Sequence, residues 1–276
     1  MIRTLLLFLL MSLSVFVTAC GGGHKASAPI VENLYVQHMK DFTHVGVEAM
    51  HQERWASAEH AFERALQMAK LANDPAKMTS AWYNVAMAYK AGKQGDKSKA
   101  ALQKVLYLAQ THDFSAYKSR AELQLALLHV ENTEGVPSLS SNLPADVYLM
   151  AAQLAYLKHD LGQAEQAYIK VIETSGKDRS GLLLQAKAVM GLALLARENG
   201  DGVMAKEQSL KVLKLCKQVG APRLSADASL LLAGMEYQVS IQERRDYAER
   251  AMDIYLILQD ETGEVKAKKI LESLGE

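Results

Sequence analysis

The chain holds two cysteines, Cys20 and Cys216, in unlike settings. Cys20 closes an apolar run and precedes Gly21-Gly22-Gly23. Cys216 lies in Leu213-Lys-Leu215-Cys216, on the apolar side of an expected helix. A thiol placed there reads as a buried packing group rather than a reactive one. His38, His44, His51 and His60 are near one another in sequence, and two of them lie seven apart. Seven residues span two helical turns, too far for a shared metal ion without a third element between them. They read as solvated or packing histidines, and no metal or other cofactor is expected. The sequence has no His-Glu-x-x-His and no Gly-x-Ser-x-Gly. Gly21-Gly22-Gly23 does not follow a strand and open a helix, so it is no phosphate loop. Acidic residues are numerous, but no pair is set apart for acid–base work. The expectation is a protein that is not an enzyme.

Composition narrows the class further. Lys and Arg together number 31, as do Asp and Glu, so the formal net charge is zero. No long basic run is present, which argues against nucleic acid as a partner. Hydrophobic residues make up 49% and there are only 5 prolines, so a folded, helix-favouring body is expected. The first residues differ from that body. Arg3 supplies a positive charge, Leu5 to Val17 is free of charge, and Val17-Thr18-Ala19 ends the run with small residues. A basic start, a short apolar core and a small-residue end describe a secretory signal. A spanning helix needs about 20 apolar residues, and this run stops short of that.

Val17-Thr18-Ala19-Cys20 resembles the lipobox of bacterial lipoproteins. The resemblance implies that the Cys20 thiol receives a diacylglyceryl group. Cleavage before Cys20 then makes it the first residue of the mature protein. Acyl chains hold a protein to a bilayer by about 0.8 kcal/mol per buried methylene, and more than one chain makes the attachment durable. Gly21 after the cysteine resembles outer-membrane rather than inner-membrane lipoproteins. The implied location is the periplasmic face of the cell envelope. With Cys20 acylated, Cys216 has no partner for an intramolecular disulfide. The expected organisation is a signal peptide over 1–19, the lipidated Cys20 and a flexible tether over 20–34, and a repeat domain over 35–276.

The rest of the text repeats. Phe42-x2-Val45-Gly46-x2-Ala49 precedes Ala58-x3-Phe62-x2-Ala65, and Trp82-x2-Val85-Ala86-x2-Tyr89 precedes Ser98-x3-Leu102-x2-Val105. Each half places apolar or small residues on one helical stripe, so each pair reads as two antiparallel helices packed closely. Repeats begin at Met39, Thr79, Ser119, Ala145, Ala186 and Ser225. The third has Leu125-Ala126 at the close-packing pair but lacks a second helix; a breaker-rich stretch, 132–144, stands in its place. The turns are expected at Ala72-Asn-Asp-Pro75, Gly92-Lys-Gln-Gly95-Asp96 and His159-Asp-Leu-Gly162. Glu264 to Leu274 reads as a single helix closing the array.

This pattern resembles the tetratricopeptide repeat, with complete neighbours spaced 39 to 41 residues against the family's usual 34. The resemblance implies an all-α fold: a right-handed superhelical array of about six TPR-like helix pairs and a closing helix. It also implies that first-helix residues face a concave groove that takes a protein or peptide. Carried over by position, these are Lys40, Thr43 and Val47; Tyr83, Asn84, Met87 and Lys90; Arg120, Gln124 and Leu127; Gln153 and Tyr156; Lys187 and Arg197. Thr43 and Val47 stand where the family's carboxylate clamp would need other residues, which argues against that clamp. The expected function is a membrane-anchored scaffold in assembly or maintenance of an envelope complex. The alternative is a periplasmic module that binds or senses a peptide or small ligand.

Overall fold

The computed structural model describes residues 33–130, 135–137, 139 and 142–275. The expected signal segment and Cys20 lie outside the described residues. Among the described residues stand twelve α-helices and no strand: α1 (Leu34–His51), α2 (Trp55–Leu71), α3 (Pro75–Ala91), α4 (Gly95–Thr111), α5 (Ser115–Leu128), α6 (Ala145–Leu157), α7 (Leu161–Thr174), α8 (Arg179–Glu198), α9 (Gly202–Val219), α10 (Pro222–Ala233), α11 (Ile241–Ile257) and α12 (Glu261–Ser273). They pair as α1–α2, α3–α4, α6–α7, α8–α9 and α10–α11, with α5 unpaired and α12 closing the array. Five of the six first helices begin before the residue at which the sequence pattern starts its repeat, because each pattern anchors on the contact surface and not on the cap.

The repeating small residues are buried where two helices meet. Ala58, Phe62 and Ala65 of α2 are buried, as are Ser98, Leu102 and Val105 of α4. Ala164, Tyr168 and Val171 of α7 and Ala205, Ser209 and Val212 of α9 follow suit. The buried Ser98 hydroxyl donates across the pair to the Ala86 carbonyl at 2.9 Å, so a polar side chain in the contact is satisfied. Val85 is buried, but Val45, its counterpart in the first unit, is 57% exposed. No earlier unit covers Val45 among the described residues.

Most of the turns share one geometry. At seven turns the second residue after the preceding helix takes a left-handed conformation: Glu53, Asn73, Lys93, Asp113, His159, Gly200 and Gln259. The expected turns at Ala72-Asn-Asp-Pro75, Gly92-Lys-Gln-Gly95-Asp96 and His159-Asp-Leu-Gly162 contain the left-handed Asn73, Lys93 and His159, whereas Gly95 and Gly162 already stand inside the first turn of a helix. Hydrogen bonds that close the preceding helix accompany the left-handed residues. The next backbone N–H reaches back five residues: Arg54 to Ala49 O at 2.9 Å, Gln94 to Tyr89 O at 2.8 Å, Asp160 to Ala155 O at 3.0 Å. This is a Schellman closure, which satisfies carbonyls the helix end would leave bare. At three turns the closing residue also opens the next helix. Asp160, Asp201 and Asp260 each close one helix through their N–H and cap the next through Oδ1, which accepts from Gln163, Met204 and Gly263.

The third unit departs from this scheme, as its sequence suggests. Among the described residues no helix stands between α5 and α6, so two first helices pack directly on each other. Connector residues Val136, Leu139 and Leu143 join Leu123, Val147 and Leu154 in a small apolar cluster there. Elsewhere, first helices touch the first helices of neighbouring units (α1 with α3, α6 with α8, α10 with α12), whereas second helices make no contact of that extent with one another. The first helices therefore line the inner face of the array.

Close approach gives a direct test. A Cβ on Gly46 would stand 2.5 Å from Cε1 of the buried Phe62 ring, whereas one on Gly162 would meet nothing within 4 Å. Alanine gains about 1 kcal/mol over glycine inside a helix, and overpacking costs about 1–3 kcal/mol. Gly46→Ala should lower the urea midpoint and Gly162→Ala should leave it unchanged or raise it.

Candidate binding groove

Three inner-face helices, α3, α5 and α6, present side chains at matching intervals. Tyr83, Met87 and Lys90 lie along α3; Tyr117, Arg120 and Gln124 along α5; Asp146, Met150 and Gln153 along α6. Intervals of three, four and seven keep each set on one helical face.

The three faces are joined by polar contacts. Arg120 donates to Asp146 through two bonds, Nε to Oδ2 at 2.6 Å and Nη2 to Oδ1 at 2.9 Å. Two-point contact between a planar guanidinium and a carboxylate is strong and directional. The bond to Asp146 outweighs partial burial and raises the Arg120 pKa. The guanidinium also lies over the Tyr117 ring at 5.2 Å, and Tyr117 meets Tyr83 edge to face at 6.2 Å. Lys90 Nζ donates to Gln124 Oε1 at 2.7 Å, and Gln124 Nε2 donates to Met150 Sδ at 2.9 Å. Tyr83 OH reaches the same sulfur at 3.9 Å. Burial pushes the Tyr83 hydroxyl pKa up, offset in part by Arg120.

Lys90 is the uncompensated charge of this cluster. Its ammonium is half-buried, and no carboxylate pairs with it among the described residues. Burial alone pulls its pKa below the usual lysine value. Asn84, six residues earlier on the same helix, is half-buried and its amide has no partner among the described residues. The cluster thus combines one ammonium, one open amide and a wall of aromatic and thioether groups. Such a set can hold an extended segment by its backbone and an acidic group by its charge.

The sequence-derived set divides in two. Tyr83, Lys90, Arg120 and Gln124 converge, with Asn84 and Met87 beside them. Lys40, Gln153, Lys187 and Arg197 are exposed and stand apart from the cluster. Tyr156 donates to Glu198, joining α6 to α8, and its hydroxyl is pushed up to about 12 by burial and then by that carboxylate. Thr43 turns back on its own helix, donating to Met39 O at 2.8 Å, and Leu127 packs beside the Leu123 cluster. Tyr117, Asp146 and Met150 belong to the cluster without having been singled out in sequence. Their own repeats mark them only as first-helix positions, and no local pattern shows that α5 meets α6 directly. Cys216 is buried as expected, and burial raises its thiol to about 11.

No protein-family model matches the protein, and no curated protein matches it. Solved structures do resemble it. The apo form of the quorum sensor NprR from B. thuringiensis superposes with a TM-score of 0.53 at 15% identity, over 88% of this chain and 77% of that one. The array has a TPR-like fold. The apo form of RapI gives a TM-score of 0.46 at 10% identity, over 88% of this chain and 83% of that one. YrrB, a TPR protein with an unusual peptide-binding site, gives 0.34 at 15% identity, over 86% of this chain and 98% of that one.

The lysine is the most direct probe of the cluster. A depressed folded-state pKa means that charged Lys90 opposes folding at neutral pH. That opposition fades as pH rises through the folded value toward the unfolded one near 10.5. Side-chain NMR titration of the folded protein should place Lys90 below the usual lysine value.

Proposed function

We propose that this protein is a membrane-anchored, TPR-like lipoprotein of the cell envelope. Its inner face takes a protein or peptide segment and helps assemble or maintain an envelope complex. The α3–α5–α6 cluster carries the binding half of this reading. Lys90 keeps a half-buried positive charge without a carboxylate among the described residues, and Asn84 offers an open amide six residues earlier on the same helix. Desolvating a charge without an ion partner is costly in a purely structural role. An acidic group on a bound segment would supply the missing counter-charge. Arg120 is already matched by Asp146, so it fixes the helices rather than the ligand.

The anchoring half rests on the sequence alone: the uncharged run from Leu5, the Val17-Thr18-Ala19-Cys20 box, and the glycines that follow. Two acyl chains on Cys20 would hold the array at the bilayer. Gly21 supports sorting to the outer membrane. A second reading, a periplasmic sensor of a peptide or small ligand, draws on the likeness to the quorum sensor NprR. It predicts saturable binding of a small anionic ligand that Lys90→Met abolishes.

Two experiments test the halves separately. In photocrosslinking from intact envelopes, Asn84→Ala with Lys90→Glu should lose the partner band. Tyr107→Ala, an exposed change on α4, should keep it. Recovery from both variants equal to that from the unaltered protein would remove the groove as the binding surface. For the anchor, globomycin should cause the uncleaved precursor to accumulate, and Cys20→Ala should release the protein from washed membranes. A precursor that is processed normally in globomycin would end the lipoprotein reading.

A further inference from the structure

The array is built unevenly at one place. Of all consecutive helices, α5 and α6 share the smallest contact. Every other first helix that precedes a further unit has a second helix wedged behind it, but among the described residues α5 has none. A cleft of about 520 Å³ lies instead between Val136, Pro137 and Leu139 and the α6–α7 pair, at Tyr148, Ala151 and Ala167. The apolar core also changes there. One cluster runs from Met39 to Ala121 through α1–α5, and a separate one runs from Ala145 to Leu195 through α6–α8. A small cluster around Leu123 and Val147 bridges them.

On the inner face the same junction is crossed by polar bonds. The two Arg120–Asp146 bonds and the Gln124–Met150 contact all run from α5 to α6. Their directionality sets one angle between the helices, which a small apolar contact alone would fix poorly. We propose that the α5–α6 junction is the hinge of the array and that the Arg120–Asp146 pair is the latch holding it at the angle seen here. With the latch closed, α3, α5 and α6 present one continuous groove. With it released, α1–α5 and α6–α12 move as two bodies about the small α5–α6 contact. Arg120 and Asp146 are thus positioning residues for the groove, whatever the groove binds.

Distance measurements on the full-length protein, with Cys20→Ser as background and the buried Cys216 retained, test this. Spin labels at Tyr107→Cys on α4 and Ile257→Cys on α11 span the junction. Labels at Val203→Cys and Ile257→Cys lie on one side of it. All three positions are exposed. Asp146→Asn should shift and broaden the spanning distance distribution and leave the one-sided distribution unchanged. A spanning distribution that stays as narrow as in the unaltered latch would overturn the proposal, and so would equal broadening of both pairs. Arg120→Lys keeps the charge but loses the two-point bond, and carries the test if Asp146→Asn loses helix content by circular dichroism. Loss of helix in both variants would also overturn the proposal, because the pair would then be required for folding rather than for angle.

Discussion

Each helix pair in this protein exists because small residues let two backbones approach and larger ones fill the space beside them. Gly46 lies under the Phe62 ring, Gly191 under Tyr168 and Gly263 under Tyr255. Nothing in this scheme reaches far along the sequence. A unit buries its apolar stripe only against the units on either side, as in any solenoid. The arrangement of the inner face, the exposure of Val45 at the start and the need for a closing α12 at the end all follow from that short range. So does the effect of the third unit, which has no second helix among the described residues and no common core over which to share that lack.

The repeat halves were legible in sequence because their spacing encodes the contact itself. Ala58-x3-Phe62-x2-Ala65 is one buried stripe written linearly, and the same holds for Ala164-x3-Tyr168-x2-Val171. The lone third helix was legible from the breakers after it. The turns were legible as segments, but not the residue in each that takes the left-handed conformation: Lys93, His159 and Gln259 do so. The hydrogen bonds that close the preceding helix hold them there despite the steric cost to a side chain. Within the groove, Lys90 and Arg120 could be named by position, but their partners could not. Asp146 meets Arg120 because α5 and α6 pack directly on each other, and Gln124 meets Lys90 across two units. Both are tertiary facts.

The inner face shows two uses of positive charge. Arg120 is matched by a carboxylate in a fixed geometry, so its charge is consumed within the protein. Lys90 rests on a neutral amide and has no carboxylate beside it among the described residues. On the proposed reading, Arg120 shapes the groove, and Lys90 and Asn84 are the polar groups left to meet what enters it.

The gap in the third unit bears on how order spreads through the array. In a linear array, the gain from one folded unit passes to the next through their shared interface, and cooperativity is only as strong as the weakest such step. The thin α5–α6 contact is that step. The helices before it and the helices after it have apolar clusters of their own. Melting should therefore proceed in two blocks rather than in one transition, and a single stability value would average over two molecules' worth of behaviour in one polypeptide.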